Sequence, residues 1–206
     1  MYRFPDCRTR IARVNTWLCG RFVPSAVATC LGLTLITARE VTAQRSRPTQ
    51  YDVEAAYLYQ FGKFVQWPSR KPEAERPKSF SICVLGRDPF GRVLDGTIKG
   101  ENMNGMSLVA KRVAAAQEAV DCQVLFVSSS QEGELARDLD ALRGAPVLTA
   151  SDIPDFLRRG GMIQFVLIDN RVRFEINVGN AERAGLTVSS QLLKVAVSVQ
   201  GQRNPK

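Results

Sequence analysis

The sequence predicts an α/β fold: a mainly parallel sheet flanked by helices on both faces, with a C-terminal antiparallel hairpin at the edge. Three observations predict it. Short apolar runs alternate with helical segments from Phe80 to Arg159, the pattern of strands joined by crossover helices. One run, Val124-Leu125-Phe126-Val127, is continuously apolar, as a strand covered on both faces must be. Finally, Gly160–Val178 folds back on itself about Asp169-Asn170, so that Leu167 meets Val172, Phe165 meets Phe174 and Ile163 meets Ile176. Those pairs make one hydrophobic stripe, while Val166 with Arg173 and Gln164 with Glu175 occupy the opposite face. Asp and Asn tolerate the positive φ of a tight turn, although Gly would suit the second position better.

Taken in order, Tyr51–Gln66 reads as an amphipathic helix, with Val53, Ala56, Tyr57, Gln60, Phe61, Phe64 and Val65 at helical spacing. Trp67-Pro68 stops it, and Ser69–Lys78, rich in proline and charge, is an exposed loop. Phe80–Gly86 is a strand. Asp88-Pro89 starts a short helix carrying Phe90, Val93 and Leu94. Ser107–Val113 is a second strand, Ala114–Ala119 a brief helix and Gln123–Ser128 a third strand. A helix over Gln131–Arg143 places Leu135, Leu139 and Leu142 on one face, and Pro146–Ala150 is a fourth strand. Ile153–Arg159 is a further short helix, the hairpin follows, and a last helix runs from Ser189 to about Val199. No internal repeat or low-complexity tract interrupts this single domain, which spans 51–200 with a flexible tail at 201–206.

The first residues of the 206-residue chain have a different character. Arg3, Arg8, Arg10, Arg13 and Arg21 form a basic lead-in, Phe22–Ala38 is apolar and small, and Val41-Thr42-Ala43 supplies small residues at a cleavage point. That is the order of a secretory signal, so 1–43 is expected to be a signal peptide, 44–50 a polar leader and the mature protein periplasmic. A membrane anchor needs about 20 strongly apolar residues, and this run is short and rich in Thr and Ser. Pro24, Gly32 and the basic flank count against a buried core helix, and Thr29 before Cys30 counts against a lipoprotein. The segment 1–43 holds six Arg and two acidic residues, which leaves 22 basic and 18 acidic groups, a net +4 instead of +8. With no dense basic stripe among aromatics, nucleic-acid binding has little support.

Of the cysteines, only Cys83 and Cys122 lie beyond the signal segment. In an oxidising compartment they can form one disulfide, and the loop they would close makes it worth about 3–4 kcal/mol. Their apolar flanks equally suit two buried free thiols. The chain has no histidine, so a His-based triad, a His general base and a His-bound zinc centre are all excluded.

Three polar turns follow the strands: Gly86-Arg87-Asp88-Pro89, Ser128-Ser129-Ser130 and Ser151-Asp152-Ile153-Pro154. Ligands of open α/β sheets favour this end, and Asp88, Ser129 and Asp152 together can line a crevice for a small polar ligand. The same residues also serve as ordinary helix-start signals. Asp88 with Asp152 is the one carboxylate pair to consider for hydrolysis without histidine. The aromatic helix offers Tyr59 and Trp67, and the hairpin offers Arg173 and Glu175, as surface for a protein partner. The plainer readings are core aromatics and a solvated sheet face.

The chain resembles the YfiR family of periplasmic proteins (YfiR/HmsC-like, DUF4154) from about Tyr51 to Val199. The resemblance rests on Tyr51–Pro68, on Ile82-Cys83-Val84-Leu85-Gly86 with Asp88-Pro89-Phe90-Gly91, on Cys122–Ser128, on Ser151-Asp152-Ile153-Pro154 and on the hairpin. It implies an α/β repressor that binds the periplasmic domain of an inner-membrane diguanylate cyclase, controlling cyclic-di-GMP and biofilm formation without catalysis or a cofactor. It further implies capture by an OmpA-like outer-membrane lipoprotein, and it allows a homodimer. Cys83 and Cys122 match one disulfide position of the family. Where relatives carry a second pair, this chain has Leu157 and Gln164, an absence that argues against redox control here.

Overall fold

The computed structural model describes residues 47–68 and 79–201. The expected signal peptide at 1–43, the expected loop at 69–78 and the expected tail at 202–206 lie outside the described residues. Helix α1 (Gln50–Phe64) is started by Thr49, whose side chain accepts from the Asp52 N–H while the Asp52 carboxylate accepts from the Thr49 N–H at 2.6 Å. This reciprocal pair satisfies two amides that a helix N-terminus leaves open. The buried residues of α1 are Glu54, Ala55, Leu58, Tyr59, Phe61 and Gly62, not the expected stripe, and Ala56 and Gln60 face outward. The helix is turned so that Phe61 stacks on Phe165 and meets Phe174 edge-on, with Tyr57 against the same two rings. Seating those rings carries Glu54, one and two turns before Leu58 and Phe61, into the core.

After α1 the two-residue strand β1 (Val65–Gln66) pairs antiparallel with β9 (Thr187–Val188). The main sheet contains β2 (Ser79–Leu85), β3 (Asn102–Met103), β4 (Met106–Val113), β5 (Val124–Val127), β6 (Leu148–Ser151), β7 (Ile163–Ile168), β8 (Arg171–Asn177) and β10 (Ser198–Gln200). Its order is β10-β8-β7-β6-β5-β2-β4-β3. The run β7-β6-β5-β2-β4 is parallel, but β3/β4 and β7/β8 are antiparallel and β10 returns parallel to β8. The sheet is therefore mixed, not mainly parallel. The extra antiparallel pair comes from Asn104-Gly105, at φ 52° and 81°, which makes the Asn-Gly turn favoured in two-residue hairpins.

The β7/β8 hairpin has the anticipated register, Ile163 with Ile176, Gln164 with Glu175, Phe165 with Phe174, Val166 with Arg173 and Leu167 with Val172. Asp169 and Asn170 both adopt positive φ. The hairpin is not at the edge, however, because β10 covers β8. The predicted final helix stops at Val195, where α5 (Ser190–Val195) ends on an extended Ala196, and the chain re-enters the sheet. Val197 donates its N–H to the Phe174 carbonyl at 3.0 Å. An open strand edge and a β-branched Val-Ala-Val-Ser-Val run together favour pairing over more helix.

Other boundaries moved for local reasons. Helix α2 begins at Arg92 and ends at Ile98, since Asp88 first closes a turn by accepting from the Phe90 N–H at 2.8 Å. The predicted helix over Gln131–Arg143 resolves into a 3₁₀ turn at Ser129–Gln131 and α3 (Leu135–Ala141). The predicted helix at Ile153–Arg159 is a series of turns, with Asp155 at φ 60°, incompatible with a continuous right-handed helix. Helix α4 (Val178–Arg183) follows β8 directly, capped by Asn177.

Alternate residues of the central strands feed two cores. Ile82, Val84, Val124, Phe126, Leu148 and Ala150 pack with α1 and α2 on one face. Cys83, Leu85, Leu125 and Val127 pack with the 3₁₀ turn Ala116–Ala119 and α3 on the other. Helices thus cover both faces, as predicted.

Candidate functional site

The turns after β2, β5 and β6 meet at the carboxyl end of the sheet, but their polar groups are largely used within the protein. The Arg87 N–H donates to Ser130 Oγ at 2.9 Å. Gly86, at φ 88°, lies so close to Ser130 that a Cβ would stand 2.5 Å from its hydroxyl. Ser128, not Ser129, caps the 3₁₀ turn, and Ser129 is exposed. The Ser151 hydroxyl donates to the Val127 carbonyl at 2.6 Å and accepts from the Ile153 N–H at 3.0 Å. Asp88 accepts from the Arg112 side chain at 2.8 Å, and Arg112 also grips Asp95, tying α2 to β4. Arg112 in turn holds the Asp95 carboxyl below its ordinary range through their hydrogen bond.

Asp152 has different neighbours. The Tyr51 hydroxyl donates to its Oδ2 at 3.2 Å, and Glu54 lies beside them, 0% exposed. Gln50 donates to Glu54 Oε1 at 2.8 Å. Glu54 Oε2 and Asp152 Oδ1 are buried with no hydrogen-bond partner among the described residues, a costly arrangement for ionised groups. Burial pushes the Glu54 carboxyl up to about 7, the Gln50 bond opposes this, and the charge of Asp152 adds to the rise. Burial also raises Asp152, against the pull of the Tyr51 hydroxyl. Tyr51 is raised by burial and then by the charge of Asp152. Glu54 was missed from sequence. The available signal was a carboxylate at the apolar spacing of Leu58 and Phe61. Burial thus favours the protonated forms of both carboxyls, between α1 and the end of β6. Glu54 itself is sealed from solvent, while Asp152 and Tyr51 are only partly buried.

The residues expected to form a contact surface divide into two groups. Tyr59 is buried at 8% exposure, its hydroxyl donating to Glu101 Oε2 at 2.5 Å and its ring lying under Lys63. It is withdrawn from the surface because the ring completes the α1 core and a carboxylate meets its polar tip. Trp67 is half-buried, edge-on to Phe80, with its indole N–H on the Gln123 carbonyl at 3.2 Å. Arg173 and Glu175 are half-buried, and neither side chain has a hydrogen-bond or ion-pair partner among the described residues. Beside them, Leu167 and Ile168 at the hairpin tip and Val195 and Val197 before β10 are exposed. Val197 donates to Phe174, two residues along β8 from Val172, the partner of Leu167, whereas Ile168, paired with Arg171, points to the opposite face of the hairpin.

Cys83 and Cys122 are joined in a disulfide with a Cα–Cα distance of 6.1 Å. The bond ties β2 to the segment entering β5. Leu157 and Gln164 also meet: the Leu157 N–H donates to Gln164 Oε1 at 3.4 Å. A hydrogen bond thus joins the two positions where the family resemblance places a second disulfide.

The YfiR/HmsC-like family model, DUF4154, matches residues 51–197. The chain belongs to the YfiR/HmsC-like family. Membership suggests a periplasmic regulator of cyclic-di-GMP signalling, and the family is regulatory rather than catalytic. No curated protein matches the chain. Among solved structures it is similar to a conserved domain protein from Vibrio cholerae O1 biovar El Tor, at 12% identity and a TM-score of 0.52, covering 75% of this chain and 62% of that one. It is also similar to an ABC domain from Streptococcus pneumoniae in complex with L-Trp, at 13% identity and a TM-score of 0.49, covering 70% of this chain and 60% of that one. The chain thus spans less than two thirds of each. The first likeness supports a mixed α/β fold and nothing finer.

Proposed function

We propose that this YfiR/HmsC-like protein is exported to the periplasm and represses an inner-membrane diguanylate cyclase by binding its periplasmic domain. The reading rests on the family match over residues 51–197, and the individually exposed Leu167, Ile168, Val195 and Val197 at the hairpin tip and before β10 offer apolar surface for a partner. Exposed large apolar side chains at the end of a sheet are surface that a protein contact can bury. A rigid hairpin locked by β10 presents it at little ordering cost. Release by an OmpA-like outer-membrane lipoprotein would compete for the same surface. The ligand crevice of Asp88, Ser129 and Asp152 has less in its favour, since Gly86 and Ser130 close on each other and Asp88 is held by Arg112.

The test is genetic and biochemical. Deleting the gene should raise cyclic-di-GMP and biofilm, and the wild-type chain should restore both. Ile168→Glu with Val197→Glu, at two exposed positions, should accumulate normally yet fail to restore repression or co-purify with the cyclase's periplasmic domain. Full complementation by that variant, or unchanged cyclic-di-GMP on deletion, would refute the proposal.

A further inference from the structure

At the opposite end of the sheet, where β6 and β7 begin, a cleft of about 560 Å³ lies between α3 and α4, within the roughly 300–1,000 Å³ typical of small-molecule sites. Leu139 and Leu142 of α3, Val147 at the entry to β6 and Met162 at the entry to β7 form an apolar wall. Three guanidinium groups, Arg143, Arg159 and Arg183, converge on the same space from three segments, against the single carboxylate Asp140.

The donors outnumber their acceptors. Arg143 pairs with Asp140 one turn away on α3. Arg159 gives Nη2 to the Glu132 carbonyl at 2.6 Å, with the Glu132 carboxylate at 3.9 Å. Arg183 gives Nη2 to Asn180 Oδ1. Among the described residues each guanidinium makes one hydrogen bond, so most of its five N–H groups stay available there. Asn180 is buried and donates to the Gly161 carbonyl at 2.6 Å, which anchors Arg183 to the cleft wall. Thr149, 2% exposed in the floor, accepts from the Met162 N–H at 3.2 Å, while its hydroxyl proton has no acceptor among the described residues. An apolar wall facing surplus forked donors matches an organic anion, since guanidinium binds carboxylate and phosphate oxygens in pairs.

We propose that this cleft binds a small organic anion, a carboxylate or phosphate ester with an apolar body, bridging α3, the 157–161 turn and α4. The site shares no residue with the hairpin surface and goes beyond the protein-contact reading, giving the protein a small-molecule input. Isothermal titration of the intact protein with phenyl phosphate, 4-phenylbutyrate, inorganic phosphate and benzyl alcohol tests it. The two organic anions should bind, with the other two at least about tenfold weaker, and added salt should weaken the anions. Arg143→Gln and Arg183→Gln should each cost about tenfold in affinity. The Arg143 side chain is 83% exposed, so an unchanged denaturation midpoint will show that its variant is folded. The proposal is overturned if neither organic anion binds at millimolar concentration. It is equally overturned if benzyl alcohol or inorganic phosphate binds as tightly, or if the double variant keeps full affinity.

Discussion

Replacing Glu54 by Gln removes one ionisable proton and keeps an oxygen to accept from Gln50. In the unfolded chain this carboxyl titrates near 4.5, and burial raises it to about 7 in the folded state. Below about pH 4.5 both states are protonated and no charge is buried. Between those values the unfolded carboxyl ionises while the folded one holds its proton, so stability falls as pH rises. Above about 7 both are ionised and the loss levels off. At about 1.4 kcal/mol for each tenfold change in proton affinity, the plateau is on the order of 3 kcal/mol, and Asp152, also raised by burial, adds in the same direction. Wild type and Glu54→Gln should therefore agree to within about 0.5 kcal/mol near pH 4.5. Near pH 8 the variant should be the more stable by about 3 kcal/mol, or roughly 6–12 °C in Tm for a domain this size. Urea denaturation followed by far-UV circular dichroism across that range measures both. Parallel pH profiles for the two proteins, or a less stable Glu54→Gln near pH 8, would show that Glu54 is not a buried proton-binding group.

Two further outcomes follow from the packing. Cys83→Ala with Cys122→Ala opens a loop with a sequence separation of 39, and should cost about 4 kcal/mol on the chain-entropy account. A loss below about 1 kcal/mol in urea would contradict it, and mass spectrometry of unreduced wild-type protein should show the two cysteines joined. Gly161→Ala places a Cβ 2.2 Å from two ring carbons of the fully buried Phe156. It should destabilise by about 2–3 kcal/mol through overpacking, and a denaturation midpoint equal to wild type would refute that geometry.

Legibility followed the range of the interactions. The β7/β8 register could be read because strand alternation and a two-residue turn are local and over-determined. The Asn104-Gly105 turn is equally local, but its first strand is only two residues long and shows no alternation to read. The α1 stripe was misassigned because helical spacing alone permits several faces. The choice among them was made by Phe165 and Phe174, more than a hundred residues away in sequence. Val195–Val199 read as helix from its neighbours and became strand because β8 offered an unpaired edge. The three candidate crevice residues did lie at the expected end of the sheet, but the sequence could not show that Asp88 would be held by Arg112 or Asp152 turned toward Tyr51.

By itself the sequence determined the alternation of strands and helices, the hairpin register and the absence of histidine chemistry, which rest on composition or on neighbours within a few residues. It also determined the family membership, which rests on motifs in one order along 51–197. Tertiary structure alone decided the mixed sheet order, the joining of Cys83 to Cys122 and the burial of Glu54 beside Asp152. It alone also decided the convergence of three arginines on one cleft. Each of these depends on which distant surfaces meet, and that is settled by close packing rather than by any local preference.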